Sequence, residues 1–338
     1  MTAVEGEHWL NDYSNERFSK YHEQLYRKTR MTAVEGEHWL NDYSNERFSK
    51  YHEQLYRKTR DLDIEFPQDW TKDELLGSGG FGDVYLYHDQ NSQFKYAVKQ
   101  IRVPPQSLFE SNTDLTREIA AFNNELENLK KVQHEHVVQY FGSVRQENAF
   151  CIFMEYMAGG SVKDQLRLSG SLPENITKHY CRQIISGLEY IHSQNILHRD
   201  IKCANVLRDL EIPISNVKLA DFGCSKHLQS IVSASGVSKV VGTPYWISPE
   251  IVTKSRCTRK SDIWSLGCTL VEMLTGKPPL SHLETFAAMF RIVGEDINPD
   301  FPDTVSDSCR YFIKQLLTRN YDDRPSTFVL RNFDFIRF

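Results

Sequence analysis

The spacing of apolar residues changes once along this chain, and that change restricts the folds open to it. Between Trp70 and Glu155 the apolar residues fall in short strand-like runs. Trp70 to Val84 reads as strand, glycine turn and strand, Phe94 to Val103 as a further strand, and Val137–Gly142 and Phe150–Glu155 as two more. One helix interrupts them, over Asp114 to Val132, where Ile119, Phe122, Leu126, Leu129 and Val132 recur at three-to-four spacing. Beyond Gly159 and Gly160 the period is helical, with apolar faces over Ser161–Leu168, Thr177–Gln194, Ser261–Thr275, Thr285–Val293 and Ser308–Leu317. Strands gathered first and helices second predict an α+β fold in two unequal parts, 70–156 and 160–338, with Met157-Ala158-Gly159-Gly160 as the joint.

The chain ahead of this unit is of another kind. Residues 1–30 and 31–60 are the same sequence, Met1 to Arg30 and again Met31 to Arg60. Stacked-repeat folds drift at their surface positions and need about three units for stability, so an exact doublet reads as a recent duplication or an artefact. In each copy Phe18, Tyr21 and Leu25 (Phe48, Tyr51 and Leu55) lie at helical spacing among polar residues, which predicts a weakly helical or disordered extension, followed by a linker over 61–69. Asp and Glu total 45 against 40 Lys and Arg, a net charge of −5, so no global basic field is present to attract nucleic acid or anionic membrane. The 7 cysteines are scattered and never spaced C-x-x-C, which argues against a disulfide framework or a structural zinc site and suits a reducing cytosol. The start Met1-Thr2-Ala3-Val4-Glu5 lacks a basic and an apolar leader region, and no stretch approaches the ~18 apolar residues of a membrane span. These features predict a soluble, unsecreted, cytoplasmic protein.

Three groups of residues carry chemistry. Gly77-Ser78-Gly79-Gly80-Phe81-Gly82-Asp83-Val84 places glycines between two strands, where backbone amides can approach phosphates without Cβ interference and Phe81 can act as a lid. A dinucleotide fingerprint passes from strand into helix, whereas Val84-Tyr85-Leu86-Tyr87 continues as strand. Tyr96-Ala97-Val98-Lys99 puts a lysine one hairpin downstream, on the face opposite Val98. Its ammonium needs a carboxylate, and Glu125, beside Phe122, Leu126 and Leu129 on the inward stripe of the helix, is favoured over Glu118, two turns earlier. The strongest segment is His198-Arg199-Asp200-Ile201-Lys202-Cys203-Ala204-Asn205, followed by Asp221-Phe222-Gly223. In-line phosphoryl transfer needs a carboxylate to orient the attacking hydroxyl and hard oxygen donors for Mg2+. Asp200 suits the first task and Asn205 and Asp221 the second, while Lys202 can neutralise the migrating group.

From Trp70 onward these residues, in this order, resemble the eukaryotic protein kinase family. Ser248-Pro249-Glu250, Asp262 in Ser261-Asp262-Ile263-Trp264-Ser265-Leu266-Gly267, and Arg324 in Asp323-Arg324-Pro325 extend the match. The resemblance implies the bilobal kinase fold, ATP and Mg2+, and a buried structural pair of Glu250 with Arg324. Lys202 after Asp200, with Gly242-Thr243-Pro244-Tyr245-Trp246, is the serine/threonine pattern. The run Phe153 to Leu166 and the run Gly242 to Glu250 are similar to MAP kinase kinase kinases of the MEKK group, with much shared by STE20-like kinases. Cys203 and Cys224 depart from the small residues usual at their positions.

By the same resemblance, adenine would lie between Leu76, Val84 and Ala97 above and Leu207 below, with backbone hydrogen bonds at Glu155 and Met157 and Met154 guarding the rear of the pocket. His198, Phe222, Leu129 and Tyr140 would stack as an internal spine. Arg199 would pair with a phosphate in the segment from Cys224 to Glu250, where Ser238 is favoured over Ser233 and Ser235; Thr243 is assigned to orienting the catalytic loop. The implied partners are a MAP kinase kinase as substrate and an upstream kinase, or a second copy in trans, as activator. A catalytically dead scaffold is the rival reading, against which Lys99, Asp200 and Asp221 are all retained. A second rival is a recruiting role for the doubled segment.

Overall fold

The computed structural model describes residues 70–79, 82–90, 94–103, 113–146, 149–210, 215–222 and 244–337. The doubled segment, the linker, Gly80, Phe81, Gly223, Cys224, Ser233, Ser235, Ser238 and Thr243 lie outside them, as does the side chain of Glu118.

Five strands, β1 (Trp70–Gly79), β2 (Gly82–Asp89), β3 (Lys95–Arg102), β4 (Tyr140–Gln146) and β5 (Ala149–Glu155), form an antiparallel sheet in the order β1-β2-β3-β5-β4. The start of β2 requires a glycine at residue 82. Gly82 has φ +135, and a Cβ there would collide with the Gln100 carbonyl oxygen. Strand alternation then sorts the two faces of β3. Val98 enters an outer apolar cluster with Tyr87, Cys151 and Phe153, so Ala97 and Lys99 face the other way. Against that inner side packs α1 (Thr113–Leu129), whose Ile119, Phe122, Leu126 and Leu129 are buried.

The strand expected over Val137–Gly142 begins instead at Tyr140. Val137 and Val138 leave the sheet to pair with Leu219: Val137 forms a parallel bridge to it and the Val138 N–H donates to its carbonyl at 2.9 Å. Their apolar character is spent on joining the two parts of the fold.

At the joint, Gly160 has φ +64 and a Cβ on Gly159 would collide with the Leu210 carbonyl, so the glycine pair permits a close backbone crossing. Ser161 then caps α2 (Val162–Ser169) in a reciprocal box with Asp164. Helices α3 (Glu174–Ser193), α4 (Pro249–Lys254), α5 (Arg259–Thr275), α6 (Thr285–Gly294), α7 (Asp307–Leu316) and α8 (Thr327–Leu330) follow, with a short ribbon of β6 (Val206–Arg208) and β7 (Val217–Leu219) between α3 and α4. α5 is the axis of the helical part: every residue from Ser261 to Leu274 is buried, the pattern of a helix surrounded on all sides.

Beside α5, Arg324 and Glu250 form a two-pronged ion pair at 2.9 and 3.1 Å, both buried, with Ser261 Oγ donating to Glu250 at 2.9 Å. The guanidinium also lies 5.1 Å from the Trp264 ring centre. Burial pushes the Glu250 carboxyl up, but its bonds and charge interaction with Arg324 outweigh this and hold it below the ordinary range. No described helix is long and apolar enough to cross a membrane.

Candidate active site

Lys99 is 7% exposed in β3, opposite Val84 of β2 and Ile152 of β5. Its Nζ lies 2.8 Å from Asp221 Oδ2. The sequence sought its partner in the helix, at Glu125 or Glu118; the 2.8 Å pair is with Asp221, and Glu125 lies half-buried on the inward stripe of α1. Burial raises the Asp221 carboxyl, yet the adjacent ammonium and its hydrogen bond prevail and keep it below the ordinary carboxylate value.

Two non-glycine residues in the left-handed region bracket the site, Arg199 at φ 71 and Asp221 at φ 59. Such backbone costs about 1–3 kcal/mol and persists only where surroundings fix it. Here they do. The Arg199 N–H donates to Asp262 Oδ1 at 2.8 Å, and just ahead of Asp221 the Ala220 N–H donates to the Asn205 carbonyl at 2.9 Å. Asp262, 1% exposed in α5, also accepts from the His198 N–H at 2.9 Å and contacts His192 Nε2 at 2.8 Å. A single buried carboxylate thus fastens the catalytic loop to the central helix and leaves the Arg199 side chain exposed.

In that loop, Asp200 Oδ2 receives the Lys202 ammonium at 2.8 Å and the Asn205 amide Nδ2–H at 2.8 Å; the same Nδ2 donates to the Asp200 carbonyl at 2.7 Å. Both side-chain bonds to Asp200 fall on Oδ2, so Oδ1 is the oxygen left to take a proton. Both bonds from Asn205 use nitrogen, so its Oδ1 is the atom a cation would use. No group of three or more His, Cys, Asp or Glu side chains gathers among the described residues to hold a metal ion alone. An amide oxygen with one carboxylate is instead the incomplete, hard-oxygen donor set that Mg2+ accepts when phosphates and water supply the rest.

Gly77 and Gly79 carry a related signal. Among the described residues nothing lies within 4 Å of a Cβ built on Gly77, and on Gly79 only the Gly82 carbonyl at 3.8 Å. The protein's own packing therefore does not demand glycine there, and the open side is where a phosphate would approach. Ser78 Oγ donates to Asp83 Oδ1 at 2.7 Å across the hairpin.

The residues expected around adenine are placed as follows. Ala97 is buried and pairs in register with Met154, while Met154 and Leu207 pack on a cluster of Val138, Met157 and Ala220. Leu76 is 39% exposed and Val84 half-buried. The sequence reading missed Val138 and Ala220, although Ala220 directly precedes Asp221. It also missed the second use of Glu155, whose carboxylate, buried behind the joint, takes Lys218 Nζ at 2.8 and 3.0 Å and the Gln139 N–H at 3.1 Å. Leu129, Tyr140 and Phe222 share one core cluster, and the His198 ring lies 6.2 Å from that of Phe222. Burial lowers His198 despite the nearby Asp262, Asp200 and Asp221, so the ring stays neutral.

A glycine hairpin over a buried lysine, a carboxylate-bearing loop anchored from below and a strained aspartate beside an asparagine together define a protein kinase. The family profile described as protein kinase domain matches residues 70–336, and the chain belongs to that family. It is similar to mitogen-activated protein kinase kinase kinase 3 of Mus musculus and of Homo sapiens, 46% identical to each over 263 residues, covering 77% of this chain and 41% of theirs. It is also similar to mitogen-activated protein kinase kinase kinase YODA of Arabidopsis thaliana, 40% identical over 272 residues, covering 79% of this chain and 29% of that one. The chain thus spans less than half the length of these relatives.

Proposed function

We propose that this chain is a serine/threonine protein kinase that transfers the γ-phosphoryl group of ATP to hydroxyls of a MAP kinase kinase. The observation that carries the reading is the Lys99–Asp221 pair at 2.8 Å beside the set of Asp200, Lys202 and Asn205 held at 2.7–2.8 Å, the two tied by the Ala220 N–H bond to the Asn205 carbonyl. Lys99 holds phosphate oxygens, and Glu125 shares its charge as Asp221 turns to the cation. Asn205 and Asp221 would hold Mg2+, which when bound neutralises the β- and γ-phosphate oxygens. Asp200 orients the acceptor hydroxyl. As the hydroxyl oxygen bonds to the γ-phosphorus and the bond to the ADP oxygen breaks, the hydroxyl proton passes to Asp200 and is later released to water. Lys202 offsets charge on the migrating group. Gly77, Ser78, Gly79, Gly80, Phe81 and Gly82 cover the phosphates; Leu76, Val84, Ala97, Met154, Glu155, Met157 and Leu207 hold the adenine.

The MAP kinase kinase as substrate rests on the names of the similar proteins. Purified kinase-dead MAP kinase kinases, incubated with the chain and radiolabelled Mg-ATP, test it. Label on serine or threonine of at least one is expected; label on a generic acceptor but on none of these proteins refutes that substrate. Regulation follows from the exposed Arg199, which suits an activation-segment phosphate. Phosphatase treatment and Ser238→Ala are each expected to lower kcat, and unchanged turnover in both removes the proposal.

A further inference from the structure

Phe286 and Phe290 are 85% and 78% exposed on α6, more than any other large apolar side chain among the described residues. The helix already buries its opposite side, at Ala288 and Ile292. Phe286, Met289, Phe290 and Val293 follow at i, i+3, i+4 and i+7, a second apolar row turned away from the core, with Met289 and Val293 half-buried along its edge. Packing within the chain calls for one apolar face on such a helix. Two aromatic rings one turn apart on the other face, in water, form a contact whose partner lies outside the chain. The rim of the row carries both signs. Glu284 stands at the N-cap and makes no capping bond to its own helix, and Arg291 lies in the last turn, paired with Glu295 at 2.9 Å. Such a rim selects neither a strongly acidic nor a strongly basic partner, but it is the complement of its own reverse.

We propose that the chain associates with a second copy of itself through α6, in a two-fold, antiparallel pairing of the Phe286–Phe290 row. Turned about that axis, Phe286 of each copy packs against Phe290 of the other, and the same rotation brings Glu284 of each beside Arg291 of the other. Ala287, exposed next to Phe286, is small enough to let the two helices approach. Two rings from each copy, at about 150–250 Å2 apiece, bury roughly 600–1,000 Å2 before the rim is counted. This is the low end of specific interfaces, so monomer and dimer exchange in the micromolar range. Tyr245 OH donates to the carbonyl of Leu283, one residue ahead of Glu284, at 2.8 Å, which places the contact close to the end of the segment where the activating phosphate is expected. The pairing would hold the second copy that phosphorylation in trans needs; that consequence rests on the kinase regulation proposed above, whereas the contact itself does not.

Sedimentation velocity of the full chain, from about 1 to 100 µM, tests the contact. Wild type is expected to pass from monomer to dimer across that range. Phe286→Asp combined with Phe290→Asp changes only exposed side chains, so the melting temperature and casein phosphorylation at submicromolar concentration stay near those of wild type, while self-association weakens at least tenfold. Glu284→Arg and Arg291→Glu each set like charges against one another across the axis and are each expected to weaken association. Mixed one to one, the two variants recover it as a heterodimer, because every rim pair then has opposite signs. A wild type that stays monomeric at the highest concentration overturns the proposal. So does a dimer that survives both aspartates, which would place association in the residues ahead of Trp70 or on another face. Charge variants that fail to recombine overturn the antiparallel pairing. If the aspartates abolish labelling of a MAP kinase kinase in protein that is monomeric throughout, the row belongs to a protein substrate and not to a second copy.

Discussion

Lys99 and Asp221 are a buried cation and a strained carboxylate 2.8 Å apart, and substituting either removes that opposite charge from the other. Lys99→Met is expected to lower kcat/KM for ATP by roughly 10²–10³-fold, the loss typical of removing one preorganised charge from a water-poor site. Lys99→Arg should recover little, because a planar guanidinium does not reproduce the point-like ammonium that pairs with Asp221. Steady-state kinetics with varied ATP, on variants shown by circular dichroism to be folded, checks both. Recovery of most of the activity by Lys99→Arg would contradict the assignment of a phosphate-facing ammonium. At this scale the sequence was readable wherever a residue type is unusual for its element: a lysine inside an apolar strand, or glycines that packing does not require. It was unreadable where partners come from far along the chain. The helix that follows β3 offers Glu118 and Glu125 to Lys99, and the 2.8 Å pair with Asp221 adds a residue more than a hundred positions away.

Elements were legible to the extent that their burial is one-sided. α1, α3 and α7 have one wet face, so their period shows in the sequence, as does the alternation in β3. α5 is buried all round, and there the apolar period survives but the polar stripe from Asp262 to Glu272 looks like ordinary surface. Val137 and Val138 read as strand residues and serve as a bridge to Leu219, since alternation cannot distinguish pairing within a sheet from pairing across lobes. The short β6 and β7, of 3 residues each, fall below the length at which a pattern can be recognised. A prediction belongs to the stripe. Asp262→Asn retains one acceptor oxygen for the three groups now shared between two, so the left-handed Arg199 loses support. We expect kcat to fall about 10²-fold and the melting temperature to drop, while nucleotide affinity in a fluorescence titration changes little. An unaltered kcat would show that the catalytic loop holds its shape without the central helix.

At the scale of the whole molecule, the buried pair of Arg324 and Glu250 is a charge pair that serves folding and lies away from the chemistry. Removing Arg324 strands Glu250 in the interior, and Arg324→Ala is expected to cost about 3–5 kcal/mol in urea unfolding at neutral pH. The pH dependence has a definite sign. The folded carboxyl of Glu250 titrates below its unfolded value of about 4.3, so its stabilisation is complete above that value and is lost as pH falls through the folded one. In Arg324→Ala the guanidinium's opposing pull is gone and burial shifts the carboxyl toward the neutral acid, so the stability gap between variant and wild type should narrow toward acid pH. A gap that widens there would contradict the pairing. The central claim is tested most directly by following radiolabelled γ-phosphate from Mg-ATP onto a kinase-dead MAP kinase kinase, with wild type and Asp200→Asn side by side. The account predicts label on serine or threonine with wild type and roughly 10²–10⁴-fold slower transfer with Asp200→Asn at an unchanged KM for ATP. Equal rates from the two proteins would contradict it.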